Sequence, residues 1–327
     1  MVKNYNVLFD EQLKIVEEKL EKIFSDKTPN SLYEPCKYSI IGGGKRLRPL
    51  AVLFSNYVFS NTFQNSYNAA LAFEILHNFT LVHDDIMDNS HKRRNRLTVH
   101  KAYDVNTAIL AGDTLYAYSF ELLLKDAYNT DFTICNDFTT AIIEVCEGQA
   151  LDKEFELRHD VTVDEYITMI YKKTAALLVG CFTVGAKIGK ANQEQIEAIK
   201  DYAKYLGLAF QIQDDYLDTF SDENIFGKKV GLDIVEGKKT FLLLKALELA
   251  QGVDKEQLNL LLKNKGTTFE NVNNYQNIYK KYNVDRLALD KVEEYIKLAN
   301  NSIEKLKSAP NFDFLIWFSN LVLQRDK

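Results

Sequence analysis

Two aspartate-rich segments with the pattern DDxxD are the residues of this sequence best suited to chemistry. They comprise Asp84, Asp85 and Asp88 in LVHDDIMD, and Asp214, Asp215 and Asp218 in FQIQDDYLD. Side chains four residues apart share one face of a helix, where like charges destabilise the helix unless a cation compensates them. Mg²⁺ is typically held by one or two carboxylates together with phosphate oxygens of a substrate. The spacing therefore predicts two groups of magnesium ligands.

Basic residues close to these segments supply charge that can bind phosphate. They are Lys45, Arg46 and Arg48 after Gly42–Gly44; Lys92, Arg93 and Arg94 after the first segment; and Lys228, Lys229, Lys238 and Lys239 after the second. A single DDxxD also fits a solvated acidic helix end. Two copies on apolar stretches, each followed by basic pairs, instead indicate an enzyme that binds and expels a diphosphate.

Two further residues stand out on apolar stretches. Lys173 lies among apolar residues of a predicted helix, and a buried lysine without a partner is costly, so it is expected to meet an anion. His77 precedes Asp84 by seven positions, two turns away on the same helix face. It can face the same ligand as the aspartates, or it can be a core histidine bonded to a backbone group. Both interpretations remain open from spacing alone.

Long helices are predicted to position these residues. Residues 50–309 contain no proline, which favours uninterrupted helices. The periodicity predicts helices over Ala69–Met87, Ala102–Lys125, Asp137–Glu156, Val163–Ile188, Asn192–Phe220 and Thr240–Ala250, with loops at Asn89–Thr98 and Ser221–Lys239. No linker-like stretch separates them. The expected fold is all-α, in a single domain spanning residues 1–327.

Composition excludes several other classes of protein. The net charge of −6 and the pI near 5.5 argue against a general nucleic-acid-binding surface. Four scattered cysteines form no zinc or disulfide framework. The N-terminal residues lack the features of a signal or transit peptide, and the most apolar segment, Phe312–Leu323, is too short to span a bilayer. A cytoplasmic protein without a transmembrane segment is expected.

Taken together, the motifs resemble those of the trans-prenyl diphosphate synthases, which elongate isoprenoid chains head to tail. The matching motifs are GGGKRLRP, LVHDDIMDNSxxRR, AGDTL, GQALD, the Lys173-Thr174 pair, and FQIQDDYLD followed by GKKVGLDIVEGKKT. They extend from about Gly42 to Lys239. The resemblance implies the isoprenoid synthase fold, with long helices around a deep central cavity, in a homodimer. It also implies condensation of isopentenyl diphosphate with an allylic prenyl diphosphate.

The resemblance assigns roles to metal ligands, to two diphosphate-binding groups and to residues beside the reacting carbons. Asp84, Asp88 and Asp214 would bind three Mg²⁺ ions, supported by Asp85 and Asp218. Arg93, Lys173, Lys228 and Lys238 would bind the allylic diphosphate. Lys45, Arg48, His77 and Arg94 would bind isopentenyl diphosphate, and Thr174 and Gln211 would lie beside the reacting carbons. The departed diphosphate is thought to be the base in this family, which fits the absence of an obvious dedicated base.

Two positions depart from the usual pattern of the family. Asn95 stands where glycine usually follows the arginine pair, and asparagine tolerates a left-handed conformation. Ser221 replaces another usual glycine after Asp218. Neither position is an expected ligand, so the activity that the resemblance implies is not put in doubt.

Product length is predicted from the turn of helix that precedes the first aspartate segment. The growing chain is expected to run beneath Asp84, where Phe79 and Thr80 would form the floor that stops its growth. Tyr116 on a facing helix could shorten the maximum chain length further. With no insertion between Asp84 and Asp88, this pattern resembles synthases that stop at short products. It favours geranylgeranyl diphosphate (C20), with farnesyl diphosphate (C15) as the alternative. The competing interpretation is that Phe79 only packs the core.

Other functions are weighed against this one. A longer-chain polyprenyl synthase would have the same aspartates and cations, and would differ in the residues that stop chain growth. A terpene cyclase shares the fold but needs no second diphosphate site, so Lys45, Arg48 and the second DDxxD argue against it. A non-catalytic synthase subunit would be expected to lose acidic ligands, and a di-iron bundle would need ExxH pairs, which this chain lacks at suitable positions.

Overall fold

The structure is a computed structural model that describes residues 4–221 and 230–323. Its first helices are α1 Tyr5–Lys22, α2 Asn30–Ile40, α3 Leu47–Ser60, α4 Tyr67–Met87, α5 Val99–Ala102, α6 Val105–Ala127 and α7 Ile134–Leu157. They are followed by α8 Val163–Ile170, α9 Ala176–Ile188, α10 Gln193–Phe220, α11 Leu232–Val235, α12 Phe241–Leu249, α13 Gly252–Lys263, α14 Val272–Lys281, α15 Val284–Ser302 and α16 Asp313–Leu323. Short 3₁₀ turns cover Phe269–Asn271 and Ile303–Leu306. The all-α prediction is confirmed.

The described chain divides into two compact units. The first comprises residues 4–140, 180–197 and 308–314, and the second comprises residues 141–179, 198–221, 230–307 and 315–323. The single domain over residues 1–327 stays a prediction.

In the first unit, α4 packs mainly against α6. The buried Asp126 of α6 fixes the start of α4, because its carboxylate accepts from the Ala69 backbone N–H at 2.8 Å and from Asn68 Nδ2 at 2.7 Å. These bonds satisfy amides that a helix start leaves without partners. From there α4 is buried over most of its first turns and ends in the first aspartate segment. At that end Asp85 is buried, Asp84 is partly buried and Asp88 is exposed.

The helix α10 carries the second aspartate segment in its last turns, which belong to the second unit. Asn192 and Gln195 begin this helix as a reciprocal cap, each accepting from the other's backbone N–H at 2.9 Å. Tyr202 and Ile212 of α10 are completely buried, and the Tyr202 hydroxyl donates to the Leu315 carbonyl at 2.7 Å. The buried helix body thus holds Asp214 and Asp218 in fixed positions.

Several local features differ from the sequence prediction, among them the short helix α11 within the loop predicted at Ser221–Lys239. The loop predicted at Asn89–Thr98 contains a small antiparallel hairpin, β1 Lys92–Arg93 and β2 Arg96–Leu97. Its turn residues, Arg94 and Asn95, have φ of 51° and 61°, as a two-residue type I′ turn requires, so Asn95 does adopt the left-handed conformation. The helix predicted over Val163–Ile188 is interrupted by a π-helical turn at Tyr171–Ala175.

Among the described residues, the stretch Val163–Ile188 is long and apolar enough to cross a bilayer by length and composition. Its most apolar window is 56% buried within the structure. A core helix meets the same criterion, so the expectation of no transmembrane segment stays a prediction.

Candidate active site

The first aspartate group lies at the end of α4 and is bound to the hairpin. The Asp88 N–H donates to the Asp84 carbonyl at 2.9 Å, so the spacing of one helical turn is preserved. The carboxylate of Asp85 is buried and accepts from Arg93 Nε at 2.9 and 3.0 Å, while Arg93 Nη2 lies 2.8 Å from Asp85 and 3.6 Å from Asp84. Arg93 therefore neutralises Asp85 and borders Asp84.

The two hairpin arginines point in different directions, as expected for adjacent residues. While Arg93 faces the aspartates, Arg94 reaches the glycine loop and donates from Nη1 to the Gly43 carbonyl. A Cβ on Gly44 would lie 2.8 Å from this guanidinium, and Gly44 has a φ of 131°. Only glycine satisfies both conditions. The hairpin thus places one arginine beside each predicted group of ligands in the first unit.

His77 and Arg48 form a pair between α4 and α3. Arg48 Nη1 lies 3.1 Å from His77 Nε2. Arginine can only donate, so Nε2 accepts and the imidazole is neutral. Burial, followed by the charge of Arg48, lowers the pKa of His77 well below its usual value. His77 is therefore a neutral, polar partner of Arg48.

The second aspartate group is a buried cluster of carboxylates. Asp215 accepts from the Tyr166 hydroxyl at 2.5 Å and from Gln211 Nε2 at 2.9 Å. Asp218 accepts from the Asp233 N–H at 2.9 Å. Burial, and then the charge of Asp233, raise the pKa of Asp215 well above its usual value and that of Asp218 to about 7. Carboxylates with such raised pKa values need additional positive charge to remain ionised together.

One cation close to this cluster is Lys238. Its Nζ lies 3.3 Å from Asp233 Oδ1 and 2.9 Å from Glu236 Oε2. Lys228, predicted to bind the same allylic diphosphate, lies outside the described residues. Lys238 thus contacts the acidic group directly, although through Asp233 and not through Asp218.

The π-helical turn presents Lys173 and Thr174. Lys173 Nζ donates to Asp152 Oδ2 at 2.6 Å, and Thr174 Oγ1 donates to Gln211 Oε1 at 2.8 Å. Gln211 in turn donates to Asp215. A continuous hydrogen-bonded chain therefore joins the π-helical turn to the second aspartate group. Insertions of this kind into helices frequently occur at functional sites.

A glycine of α7 permits this arrangement. A Cβ on Gly148 would lie 2.2 Å from the Lys173 backbone nitrogen and 2.6 Å from its Cα. Because both atoms belong to the backbone, any side chain at this position would displace the π-helical turn. Gly148 thus sets the position of Lys173 and Thr174.

The predicted chain-length residues form an aromatic contact between α4 and α6. The rings of Phe79 and Tyr116 have centroids 5.3 Å apart, and Phe79 also contacts the His83 ring at 4.8 Å. Thr80 donates its hydroxyl to the His77 carbonyl at 2.8 Å, so its hydroxyl is bonded to its own helix. Below Tyr116 the aromatic contacts continue through Phe120 at 5.6 Å.

Several partners of these residues were not predicted. Asp152 belongs to the GQALD motif, but no role was assigned to it from the sequence. Asp233 and Tyr166, which complete the second acidic group, carried no spacing signal. Only the repeated charges of GLDIVEGKK could have pointed to Asp233. The role of Gly148 depends on a contact between separate helices, which no local pattern reveals.

The described side chains supply oxygen ligands but not a complete metal site. No three of the described His, Cys, Asp and Glu side chains converge closely enough to hold a metal ion by themselves. Paired carboxylates that need phosphate oxygens to complete the coordination sphere are the usual arrangement for Mg²⁺. The oxygen-only donors of Asp84, Asp88, Asp214 and Asp218 fit this ion.

Comparison with known proteins gives consistent matches over most of the chain. The family profile described as polyprenyl synthetase matches residues 29–282. The chain is 41% identical over 304 residues to a geranylgeranyl diphosphate synthase of Sulfolobus acidocaldarius, covering 92% of each. It is 37% identical over 317 residues to a short chain isoprenyl diphosphate synthase of Methanothermobacter thermautotrophicus, covering 95% of this chain and 96% of the relative. A crystal structure of a geranylgeranyl pyrophosphate synthase superposes with a TM-score of 0.90 and 37% identity, covering 98% of this chain and 99% of the other.

Proposed function

The chain belongs to the polyprenyl synthetase family, and we propose that it is a prenyltransferase that makes geranylgeranyl diphosphate. It condenses isopentenyl diphosphate head to tail with an allylic diphosphate, and the product is a C20 chain. The observation that carries this function is the combination of two aspartate groups with a separate set of polar residues, the cations Lys45, Arg48 and Arg94 together with the neutral His77. Relatives named geranylgeranyl diphosphate synthase, 35–42% identical over most of the chain, support the product length.

The reaction requires cleavage of the allylic C–O bond. The bonding electron pair leaves with the diphosphate, and the double bond of isopentenyl diphosphate attacks the resulting carbocation to form a new C–C bond. Loss of a proton then restores a double bond, and the departed diphosphate can accept this proton. By the family resemblance, Arg93 and Lys173 would stabilise the charge that develops on the leaving group. Before substrate binds, carboxylates occupy both cations, Asp85 for Arg93 and Asp152 for Lys173.

We propose that Mg²⁺ completes this charge balance. Asp84 and Asp88 in the first group and Asp214 in the second would be its ligands, with Asp85 and Asp218 in support, and three ions are expected. When bound, Mg²⁺ supplies Lewis-acid stabilisation of the leaving diphosphate. The raised pKa values of Asp215 and Asp218 support a cation there, because burial and the charge of Asp233 disfavour their ionised forms.

Lys45, Arg48, His77 and Arg94 are proposed to hold the diphosphate of isopentenyl diphosphate. The glycine loop brings backbone and cations to one place in the first unit, where Arg94 contacts Gly43 and Arg48 contacts His77. A neutral His77 can orient Arg48 without adding repulsion. Thr174 and Gln211 are proposed to lie beside the reacting carbons, where their hydrogen bond fixes their orientation.

The experiment that tests this function uses purified protein with Mg²⁺ and isopentenyl diphosphate. Dimethylallyl, geranyl or farnesyl diphosphate is supplied separately, and product length is measured by mass spectrometry. Geranylgeranyl diphosphate as the main product would support the proposal, while farnesyl diphosphate would support the C15 alternative. Products well beyond C20 would leave the enzyme class unchanged but refute the assignment of Phe79 and Thr80 as the floor that limits chain length.

Two controls separate the remaining alternatives. If isopentenyl diphosphate is omitted, a terpene cyclase would still consume the allylic substrate, whereas this protein should not. If folded protein gives no condensation with any primer, the non-catalytic subunit would be favoured. A homodimer and a cytoplasmic location are proposed on the family resemblance, and sedimentation equilibrium would test the dimer.

A further inference from the structure

Arg46 forms a buried ion pair whose role differs from that of the neighbouring cations. Its side chain is only 4% exposed, and that of Glu74 is 3% exposed. Arg46 Nη1 donates to Glu74 Oε1 at 2.6 Å. A charge so buried, with its own carboxylate, is not available to a diphosphate. Arg46 therefore does something other than bind substrate.

The geometry of this pair joins three helices. Arg46 Nη2 donates to the Ile40 carbonyl at 2.8 Å, where α2 ends, while its own backbone precedes the first residue of α3. Glu74 belongs to α4 and is supported by Asn78, whose Nδ2 lies 3.3 Å from Oε1. The guanidinium thus spans the glycine loop from one end to the other and attaches it to α4.

Besides the bond from Arg94 to Gly43, the backbone of this loop needs support for its conformation. Arg46 has a φ of 47°, and Gly43 and Gly44 have φ of 78° and 131°, so these residues occupy left-handed or extended positive-φ conformations that surrounding contacts must maintain. On α4, Glu74 is followed one turn later by His77, which accepts from Arg48. Two bonds, Arg46 to Glu74 and Arg48 to His77, therefore connect the same two segments.

We propose that the Arg46–Glu74 ion pair is a positioning device for the isopentenyl diphosphate site. It fixes the backbone from which Lys45 and Arg48 extend, and so sets the affinity for that substrate without touching it. This inference rests on the proposed function, because it assigns the loop to isopentenyl diphosphate. It predicts a selective effect on one of the two substrates.

The decisive variant removes both charges together. Removing one partner would leave a buried charge unpaired and destabilise the fold, whereas replacing both with apolar residues of similar size is often tolerated. Arg46→Met combined with Glu74→Leu should therefore fold, as checked by its thermal melting curve. The KM for isopentenyl diphosphate should rise about tenfold or more, since small misplacements of binding groups are costly. The KM for the allylic diphosphate should change less than about twofold.

A matched control removes another ion pair of the first unit. Lys187 and Asp137 lie 2.5 Å apart and are each 17% exposed, but they are not in the glycine loop. Lys187→Met with Asp137→Leu should leave both KM values close to those of the wild type. If this control raises the KM for isopentenyl diphosphate as much as the loop variant does, the cause is a general loss of stability on removing any buried ion pair, and the proposal is wrong.

A conservative variant covers the case in which the double variant does not fold. Arg46→Lys keeps the charge beside Glu74 but lacks the fork that reaches Glu74 and Ile40 together. It should raise the KM for isopentenyl diphosphate by a smaller factor. A folded loop variant with unchanged KM for isopentenyl diphosphate, or with equal increases for both substrates, would overturn the proposal. Failure of the wild type to consume isopentenyl diphosphate would instead refute the proposed function.

Discussion

Replacing Phe79 with alanine should lengthen the product by one isoprene unit. The substitution removes the six ring carbons of Phe79, while one isoprene unit adds five carbons, so the vacated space matches one further condensation. The ring now contacts Tyr116 at 5.3 Å and His83 at 4.8 Å. After its removal, Tyr116 becomes the next aromatic barrier, and a C25 product is expected to replace C20.

The size of the effect follows from apolar burial. Each buried CH₂ contributes about 0.8 kcal/mol, so seating five more carbons is worth at most about 4 kcal/mol. Phe79 is only partly buried, so part of this gain is lost to solvent. If about a third of this gain is retained, roughly 1.4 kcal/mol, the ratio of C25 to C20 rises about tenfold. The loss of stability should stay below the roughly 3–5 kcal/mol measured for fully buried phenylalanines.

The assay compares product length by mass spectrometry with farnesyl diphosphate as primer. The matched control is Tyr118→Ala, because Tyr118 lies on α6 two residues after Tyr116 but packs against Phe24 at 4.9 Å. Phe79→Ala combined with Tyr116→Ala should give products longer than either single variant. An unchanged product length from Phe79→Ala, or an equal shift in product length from Tyr118→Ala, would refute the role of Phe79 in limiting chain length. Phe79 would then be a residue that only packs the core.

Three other predictions follow from the site. Gly148→Ala should lower kcat about a hundredfold while the protein stays folded, because a Cβ would displace the backbone of Lys173. The control is Ala150→Ser, at an exposed position of the same helix, which should keep the kinetics of the wild type. EDTA should abolish turnover and Mg²⁺ should restore it, and Asp214→Asn should raise the Mg²⁺ concentration needed for half-maximal rate; a normal rate in EDTA would contradict metal dependence. The pKa of His77 is lowered in the folded state, so below pH about 6.5 the unfolded chain binds more protons than the folded chain, and the free energy of unfolding falls. Urea unfolding measured from pH 7 to pH 5 should show a smaller loss of this free energy for His77→Asn than for the wild type. An equal loss in both proteins would refute the prediction.

The first aspartate group shows how far local spacing can predict a site. The interval between Asp84 and Asp88 required one helical turn, and the helix supplies it because α4 is apolar enough to be buried. The resemblance assigned Arg93 and Arg94 to different diphosphates, and the two side chains do contact different partners. A tight hairpin turn, with φ above zero at Arg94 and Asn95, sends one side chain to Asp85 and the other to Gly43. The hairpin itself was missed, because its strands have only two residues each.

The second group shows what local spacing could not predict. The stretch Val163–Ile188 has no proline or glycine near Lys173, so no residue there indicated a π-helical turn. The turn is seen only where Gly148 of another helix approaches the Lys173 backbone. Asp152 becomes the partner of Lys173 through the same contact between helices.

By itself, the sequence determined the all-α class, the two carboxylate groups and the chemistry they can perform, because helical periodicity and residue type are local properties. The tertiary structure decided which charged side chain pairs with which partner. Arg46 and Arg48 are two residues apart and were equivalent as a basic pair, yet Arg46 is buried against Glu74 while Arg48 pairs with His77. Such pairings depend on where separate helices come together, and the cost of burying an unpaired charge selects them.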